Sequence, residues 1–284
     1  PGIYPLLESM SGRVDLEASD DVFRIDRDGI TFIDCETNTV KADKSAAFTE
    51  MMRKKGFVFP ARVIAGNPTT RKEYDEGFFI TDNEGKLFHL KQTKGRPFVR
   101  AVELPEGLEV AQIFVTEYRG RQYFAFLTDK AGQFYALTTG DYALHPVAIP
   151  PLDLTRQGIM IVGNPFDWTV KVSDTDGAEH FYAIDSETFG RLKELHYPAP
   201  EPTALEKAGK FVFPFRLSFT SGSDTEVVPR VTDISAWALI LGLVLAAAFC
   251  VIRKTNPVRQ APQCLFILVC GLYAFIGLLL FSRK

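Results

Sequence analysis

The sequence predicts an all-β repeat domain, propeller-like and built of about four blade units, with one short helix and a C-terminal two-helix transmembrane hairpin. Three observations predict it. The stretch TDNEGKLFHL at Thr81–Leu90 returns 47 residues later as TDKAGQFYAL at Thr128–Leu137, and again, more loosely, as SDTDGAEHFYAI from Ser173. A period of about 45 residues made of short apolar strands is the mark of propeller blades and related β-repeats. The run IAGNP at Ile64–Pro68 comes back as IVGNP at Ile161–Pro165, 97 residues on and in the same phase of the repeat. Finally, Ile234–Ile252 and Cys264–Ser282 are each 19 residues without a charge. A helix of that length spans roughly 28 Å, close to the hydrocarbon thickness of a bilayer.

Taken in order, residues 1–21 offer one strand, at Arg13–Glu17. VFRIDRDGITFID at Val22–Asp34 is two alternating runs around Asp28-Gly29, a strong hairpin signal. Asp43–Gly56 reads as the helix. Asp43 or Ser45 is the expected cap, Phe48, Met51 and Met52 form one apolar stripe, and Arg53, Lys54 and Lys55 suit the negative end of the dipole before Gly56.

Twelve strands then fall into three units of four. The first unit has Arg62–Gly66, Gly77–Thr81, Lys86–Lys91 and Phe98–Leu104. The second has Val110–Glu117, Gln122–Thr128, Gln133–Thr138 and Ala143–Ile149. The third has Gly158–Gly163, Trp168–Ser173, His180–Asp185 and Arg191–Tyr197. After the connector APEPT, Phe211–Phe219 (FVFPFRLSF) repeats the FVFP of Phe57–Pro60 and reads as the first strand of another unit. Paired with Val22–Asp26, it would complete a composite fourth unit from both ends of the domain and close the ring, since a lone strand leaves unpaired edges. The expected organisation is a β-repeat domain at 1–220, a linker at 221–233 and the helix hairpin at 234–284.

Charge separates these parts. All 35 acidic residues lie before Ile234, while Arg253, Lys254, Arg259, Arg283 and Lys284 lie in the tail. An acidic body argues against nucleic acid as a partner, because such binding rests on neutralising phosphates. The loop RKTNPVRQAPQ between the apolar runs carries three cations and no acid. By the positive-inside rule that loop is cytoplasmic and the β domain lies outside the inner, cytoplasmic membrane. Arg283 and Lys284 pull the other way, since a hairpin cannot have both outer ends inside.

Little in the sequence looks like chemistry. Asp26–Gly29 and Asp174–Gly177 read Asp-x-Asp-Gly, but a calcium loop needs five or six oxygens, and tight turns favour Asp and Gly for their own reasons. His89, His145, His180 and His196 have no ligand spacing. No nucleophile elbow or phosphate loop is present. Asp75-Glu76 is the densest acid pair and reads best as a solvated turn. Arg62, Arg71 and Lys72 read as a solvated face, and the four cysteines as small buried hydrophobes. The sequence therefore assigns no catalytic, cofactor-binding, metal-binding or ligand-binding residue.

Several runs taken together resemble a known family: YPLLES-x-SGRV-x-LE with D-x-FR (Tyr4–Arg24), KSAAFTEMMRKKGFVFPA (Lys44–Ala61), GNPTTRKEYDEGFF (Gly66–Phe79) and D-x-x-GKLFHLK (Asp82–Lys91). They are similar to the domain-of-unknown-function 4857 family of uncharacterised envelope membrane proteins. The resemblance implies a longer N-terminus with a further membrane segment. It also implies an accessory role beside ABC-type transporters, with no assigned catalytic residue. The expectation is a membrane-anchored, non-enzymatic envelope protein, a binding or accessory subunit without a cofactor. The alternatives are a membrane-tethered hydrolase or lyase on a propeller scaffold, and an extracytoplasmic ligand sensor.

Overall fold

A computed structural model of the chain describes residues 2–10, 16–117, 119–219, 227–232, 234–253 and 257–281. The chain divides into two compact units, Pro1–Ala199 and Pro200–Lys284. Residues 200–220, expected with the β-repeat, thus fall in the second unit.

The first unit opens with β1 (Tyr4–Pro5), β2 (Asp21–Ile25) and β3 (Ile30–Asp34), then α1 (Ala42–Lys54). The strand expected at Arg13–Glu17 falls largely outside the described residues. Next come β4 (Val63–Gly66), β5 (Phe78–Thr81), β6 (Leu87–Thr93) and β7 (Arg96–Val102). The following four are β8 (Val110–Val115), β9 (Tyr123–Asp129), β10 (Phe134–Thr138) and β11 (Leu144–Pro146). The last four are β12 (Gln157–Gly163), β13 (Asp167–Asp174), β14 (Glu179–Asp185) and β15 (Arg191–Tyr197). Each group forms its own antiparallel sheet in chain order. All twelve expected strands are present, and β11 is the one cut markedly short.

The repeated Asp-x-x-Gly motif sets the β5–β6, β9–β10 and β13–β14 turns, and all three are built alike. The glycine N–H donates to the Asp carbonyl oxygen (3.1, 3.0 and 3.0 Å for Gly85, Gly132 and Gly177). The Asp N–H donates to the carbonyl oxygen of the residue after the glycine, at 2.9, 3.1 and 2.9 Å. The three glycines have φ of +88°, +84° and +91°, which a β-carbon disfavours. Asp82 Oδ1 accepts from the N–H groups of Glu84 and Lys86, both at 2.9 Å, and Asp129 Oδ1 from Gln133 N–H at 2.9 Å. The repeat is therefore a turn device.

The four sheets stack in a row with three apolar interfaces. Phe23, Phe32, Phe78, Ile80 and Phe88 fill the first, with Phe48 and Met52 of α1. Phe79, Leu87, Phe124 and Leu127 fill the second, and Phe126, Phe134, Trp168, Val170 and Ile184 the third. An inner strand such as β5 is buried throughout because its alternate side chains enter different interfaces.

Helix α1 lacks the side-chain cap expected from Asp43 or Ser45. The Ser45 hydroxyl instead donates to the Lys41 carbonyl oxygen at 2.7 Å and accepts from Phe32 N–H at 2.9 Å, tying the helix to β3.

The ring does not close. Strand β2 is flanked by β1 and β3, so both its edges are occupied. The Phe211–Phe219 segment forms no strand beside it. In the second unit, helix α2 (Ala204–Val212) consumes its first residues, and only β16 (Arg216–Ser218) is extended, paired with β17 (Arg230–Thr232). The physical reason is a capping box. Thr203 accepts from Glu206 N–H, and the Glu206 carboxylate accepts from Thr203 N–H, so a helix starts there and runs into FVF. The composite fourth unit is thus replaced by an N-terminal sheet complete in itself.

The second unit ends in α3 (Ala236–Arg253) and α4 (Pro257–Phe281). Ala236–Arg253 and Gln260–Phe281 are long and apolar enough to cross a membrane, with mean hydropathies of 2.3 and 2.7. Unlike the straight helix expected, the second is broken at Gly271, at φ 63° and ψ −141°. The break abuts the Val212 carbonyl oxygen, 2.8 Å from where a β-carbon would stand. The segment beyond it returns toward the C-terminal end of α3, where Arg253 Nη2 donates to the carbonyl oxygens of Leu278 and Leu279 at 3.2 and 2.8 Å.

Candidate functional site

Two features of the β-repeat unit hold polar groups in its interior. The first is built by the loop between β4 and β5, residues 67–77, which carries the GNPTTRKEYDEG run. Its Asp75-Glu76 pair is not the solvated turn expected. Asp75 is 1% exposed, and Lys72, expected on a solvated face with Arg62 and Arg71, has its side chain only 8% exposed. Lys72 Nζ donates to Asp75 Oδ1 at 2.6 Å, to Glu117 Oε2 at 2.5 Å and to the Asn67 carbonyl oxygen. Glu117, just beyond β8, also accepts from Asn67 Nδ2 at 2.9 Å and from Glu76 N–H at 2.7 Å. Gly77 N–H donates to Asp75 Oδ2 at 3.1 Å. The loop therefore ties the second sheet to the third through a paired and fully bonded ion cluster.

His89 on β6 sits beside this cluster. It is wholly buried and stacked on Phe79, with ring centroids 4.3 Å apart. Its Nε2 lies 2.5 Å from the Glu76 carbonyl oxygen, which can only accept, so Nε2 carries the proton. Nδ1 then accepts from the Tyr142 hydroxyl at 2.8 Å. Burial, outweighing the carbonyl contact, pushes the His89 imidazole down to about 3, and nearby Lys91 and Arg100 add to this. Burial likewise pushes the Asp75 carboxyl up to about 6, against the pull of Lys72.

These shifts have opposite linkage. The folded chain holds the Asp75 proton more tightly than the unfolded chain, so this stabilisation is present below about 4 and is lost as pH rises through about 6. Neutral His89 contributes stability above its ordinary 6.5, and loses it as pH falls toward about 3. Between about pH 4 and 6 the two slopes oppose each other. Asp75→Asn removes one of them. The difference in melting temperature between the variant and the parent is therefore expected to grow more negative on acidification across that window. Curves that stay parallel would exclude a buried, titrating Asp75.

The second feature is a cleft of about 470 Å³ between the third and fourth sheets. Val115 of β8, Phe126 of β9, Ile159 and Ile161 of β12 and Trp168 of β13 line it, with the Gly163-Asn164-Pro165 turn at its edge. Gly163 pairs across the strands with Trp168 and would have its β-carbon 2.3 Å from that of Trp168, so glycine makes room for the indole. Gly66 does the same for the Phe78 ring in the other copy of the motif.

The remaining candidates are committed elsewhere. His180 Nε2 donates to Asp174 at 3.1 Å, and its Nδ1 faces His196 Nδ1 at 3.2 Å. His145 stacks on Phe189 with centroids 4.6 Å apart. Among the described residues no group of three or more His, Cys, Asp or Glu is arranged to hold a metal. Cys35, expected to be buried, is exposed.

Sequence reasoning found Asp75 and Lys72 but not their burial, and missed Glu117, Tyr142 and Trp168. The one signal for the cleft was the second Gly-Asn-Pro, which fixes the phase of β12 and the turn opposite Trp168.

Fold and site together define an open β-repeat protein with an apolar helical tail. The chain belongs to the family described as domain of unknown function DUF4857, whose model matches residues 1–184. A comparison with curated protein sequences finds no match. Among solved structures, the dihydro-heme d1 dehydrogenase NirN in complex with DHE is similar at 12% identity and a TM-score of 0.34. The similarity covers 80% of this chain and 54% of that one. The chain spans about half the length of that structure, and the overlap is too low to carry an argument.

Proposed function

We propose that the chain is a membrane-anchored, non-enzymatic envelope protein, a binding or accessory subunit of a larger membrane assembly of the ABC-transporter kind. Its β-repeat unit lies on the extracytoplasmic side of the cytoplasmic membrane. The observation that carries this reading is the pair of apolar helices joined by a cation-rich loop and preceded by an acidic body. A binding role is supported by the commitment of Lys72, Asp75, Glu117 and His89 to one another and to the backbone in the interior.

In this reading α3 crosses the bilayer and the chain beyond Gly271 returns to the side it left. Arg283 and Lys284 then join Arg253, Lys254 and Arg259 on the cytoplasmic side, and the conflict of a simple hairpin with the positive-inside rule disappears. Labelling intact cells with a membrane-impermeant maleimide tests it. Native Cys35 is expected to react. In a Cys35→Ser background, Glu201→Cys is expected to react, and Thr255→Cys and Arg283→Cys only after permeabilisation. Labelling of Thr255→Cys in intact cells would overturn the topology. Labelling of Arg283→Cys alone would restore the plain hairpin. Purification from detergent-solubilised membranes is expected to bring transporter subunits with the chain, and their absence would remove the accessory role.

A further inference from the structure

We infer that His180 and His196, with His180 oriented by Asp174, form an open binding site for a divalent late transition-metal ion of the Cu²⁺, Ni²⁺ and Zn²⁺ kind. This goes beyond anchoring and assembly, and holds on whichever side of a membrane the unit lies.

The site lies where the third copy of the repeated turn departs from the other two. In those two the turn aspartate commits Oδ1 to its own turn, Asp82 to the N–H groups of Glu84 and Lys86 and Asp129 to Gln133 N–H. In the third copy Asp176 takes that role, accepting from Ala178 N–H at 3.0 Å. The Asp174 carboxylate serves side chains instead: Gln157 Nε2 donates to its Oδ1 at 2.7 Å, and His180 Nε2 to its Oδ2 at 3.1 Å. Six residues after the turn aspartate stand Phe88, Tyr135 and His180 in the three copies. Tyr135 also reaches back, its hydroxyl donating to Asp129 Oδ2 at 3.0 Å. A phenol has nothing further to offer, whereas an imidazole keeps a second nitrogen. His196 of β15 pairs directly with His180 of β14, so both side chains stand on one face of the sheet.

The geometry suits a chelated ion. A carboxylate oxygen accepts, so Nε2 of His180 carries its proton and Nδ1 presents a lone pair. That Nδ1 lies 3.2 Å from Nδ1 of His196, while the ring centroids are 4.4 Å apart, so the rings turn these two nitrogens toward each other. An ion about 2.0–2.1 Å from each would make an N–metal–N angle of roughly 100–106°, near the tetrahedral value. His196 is exposed and can carry its proton on Nε2, which frees both Nδ1 lone pairs without loss of a proton. Asp174 holding His180 from behind is the carboxylate–histidine–metal arrangement, which fixes the tautomer and raises the basicity of the ligand. Imidazole pairs suit copper, nickel and zinc, whereas magnesium and calcium call for oxygen. Among the described residues no third His, Cys, Asp or Glu completes the set, so water fills the other positions and the ion exchanges with solvent.

The probe is Cu²⁺, added at one equivalent to tag-free, full-length protein in phosphatidylcholine nanodiscs, with Cys35→Ser removing the exposed thiol. The expected result is electron spin echo modulation from the remote nitrogens of two imidazoles on one copper. That count needs no site variant, so the test survives misfolding of any of them. His196→Ala, at an exposed position, is expected to leave one imidazole on the ion and to raise half-saturation at least about tenfold, because the chelate is lost. Asp174→Asn is expected to weaken binding about tenfold or more with two imidazoles still on the copper, a split that general loosening of the sheet would not give. Excess Zn²⁺ is expected to displace the copper and excess Mg²⁺ to leave it in place. Fewer than two imidazoles on copper in the parent, or an unchanged half-saturation in His196→Ala, would overturn the site. Displacement by Mg²⁺ would overturn its assignment to a transition ion, and an unchanged half-saturation in Asp174→Asn the part given to the carboxylate.

Discussion

Lys72→Met is expected to be the most damaging single substitution in the β-repeat unit, costing about 3–5 kcal/mol. The side chains of Asp75 and Glu117 are 2% and 0% exposed, and Lys72 is the cation both contact. Methionine fills much the same volume, so the loss is electrostatic. Two carboxylates are left facing each other out of water, and burial already pushes Asp75 up to about 6 with the cation in place. For a unit of this size the apparent melting temperature is expected to fall by roughly 6–20 °C. The fall is expected to be larger at pH 8 than at pH 5, because protonation relieves the repulsion. Adding Asp75→Asn and Glu117→Gln to Lys72→Met is expected to restore much of the loss, since neutral amides need no counter-charge. A Lys72→Met protein melting within about 2 °C of the parent would show that the cluster is hydrated and not buried.

Gly132→Ala is expected to cost more than about 3 kcal/mol, and Gly85→Ala only about 1 kcal/mol, although both glycines hold the same place in the repeated turn. Both have φ in the left-handed region, at +84° and +88°, so both pay the conformational cost of a β-carbon. They differ in surroundings. A β-carbon on Gly85 meets nothing within 4 Å, whereas on Gly132 it would stand 2.4 Å from the Leu152 carbonyl oxygen and 3.0 Å from its nitrogen. That nitrogen donates to the Gly132 carbonyl oxygen at 2.8 Å, so relieving the clash also loosens the bond holding this segment. Thermal melts of the two variants side by side measure the difference. Equal losses would mean that the segment around Leu152 yields freely.

The twelve strands of β4 to β15 were legible because each is an alternating or continuous apolar run, and Asp and Gly at fixed offsets mark the middle turn of each group of four. What was illegible depended on partners distant in sequence. Lys72 and Asp75 stand in a run of charges that reads as solvated. Their burial is settled by Glu117, 42 residues beyond Asp75, whose own neighbourhood carries no mark. The closing strand was misplaced because FVFP recurs, yet Thr203 and Glu206, a few residues before its second copy, decide for helix. The true partner of β2 is the two-residue strand Tyr4–Pro5, too short to show any period. Gly271 lies in an apolar run whose composition says membrane helix, and nothing local indicates that its backbone leaves the helical region.

An open row of sheets behaves as a short one-dimensional lattice, in which each member is held by its nearest neighbours. The inner two sheets have two couplings each, while the outer two have one. At the N-terminal end α1 braces β3 and β7, adding a bond across the first junction. Among the described residues of this unit no helix braces the other end. β15 is exposed along its whole length, and the junction behind its sheet is the one that holds the cleft. The fourth sheet is thus the member with the fewest bonds to lose. The row is therefore expected to fray from that end, with β12 to β15 opening before any other sheet.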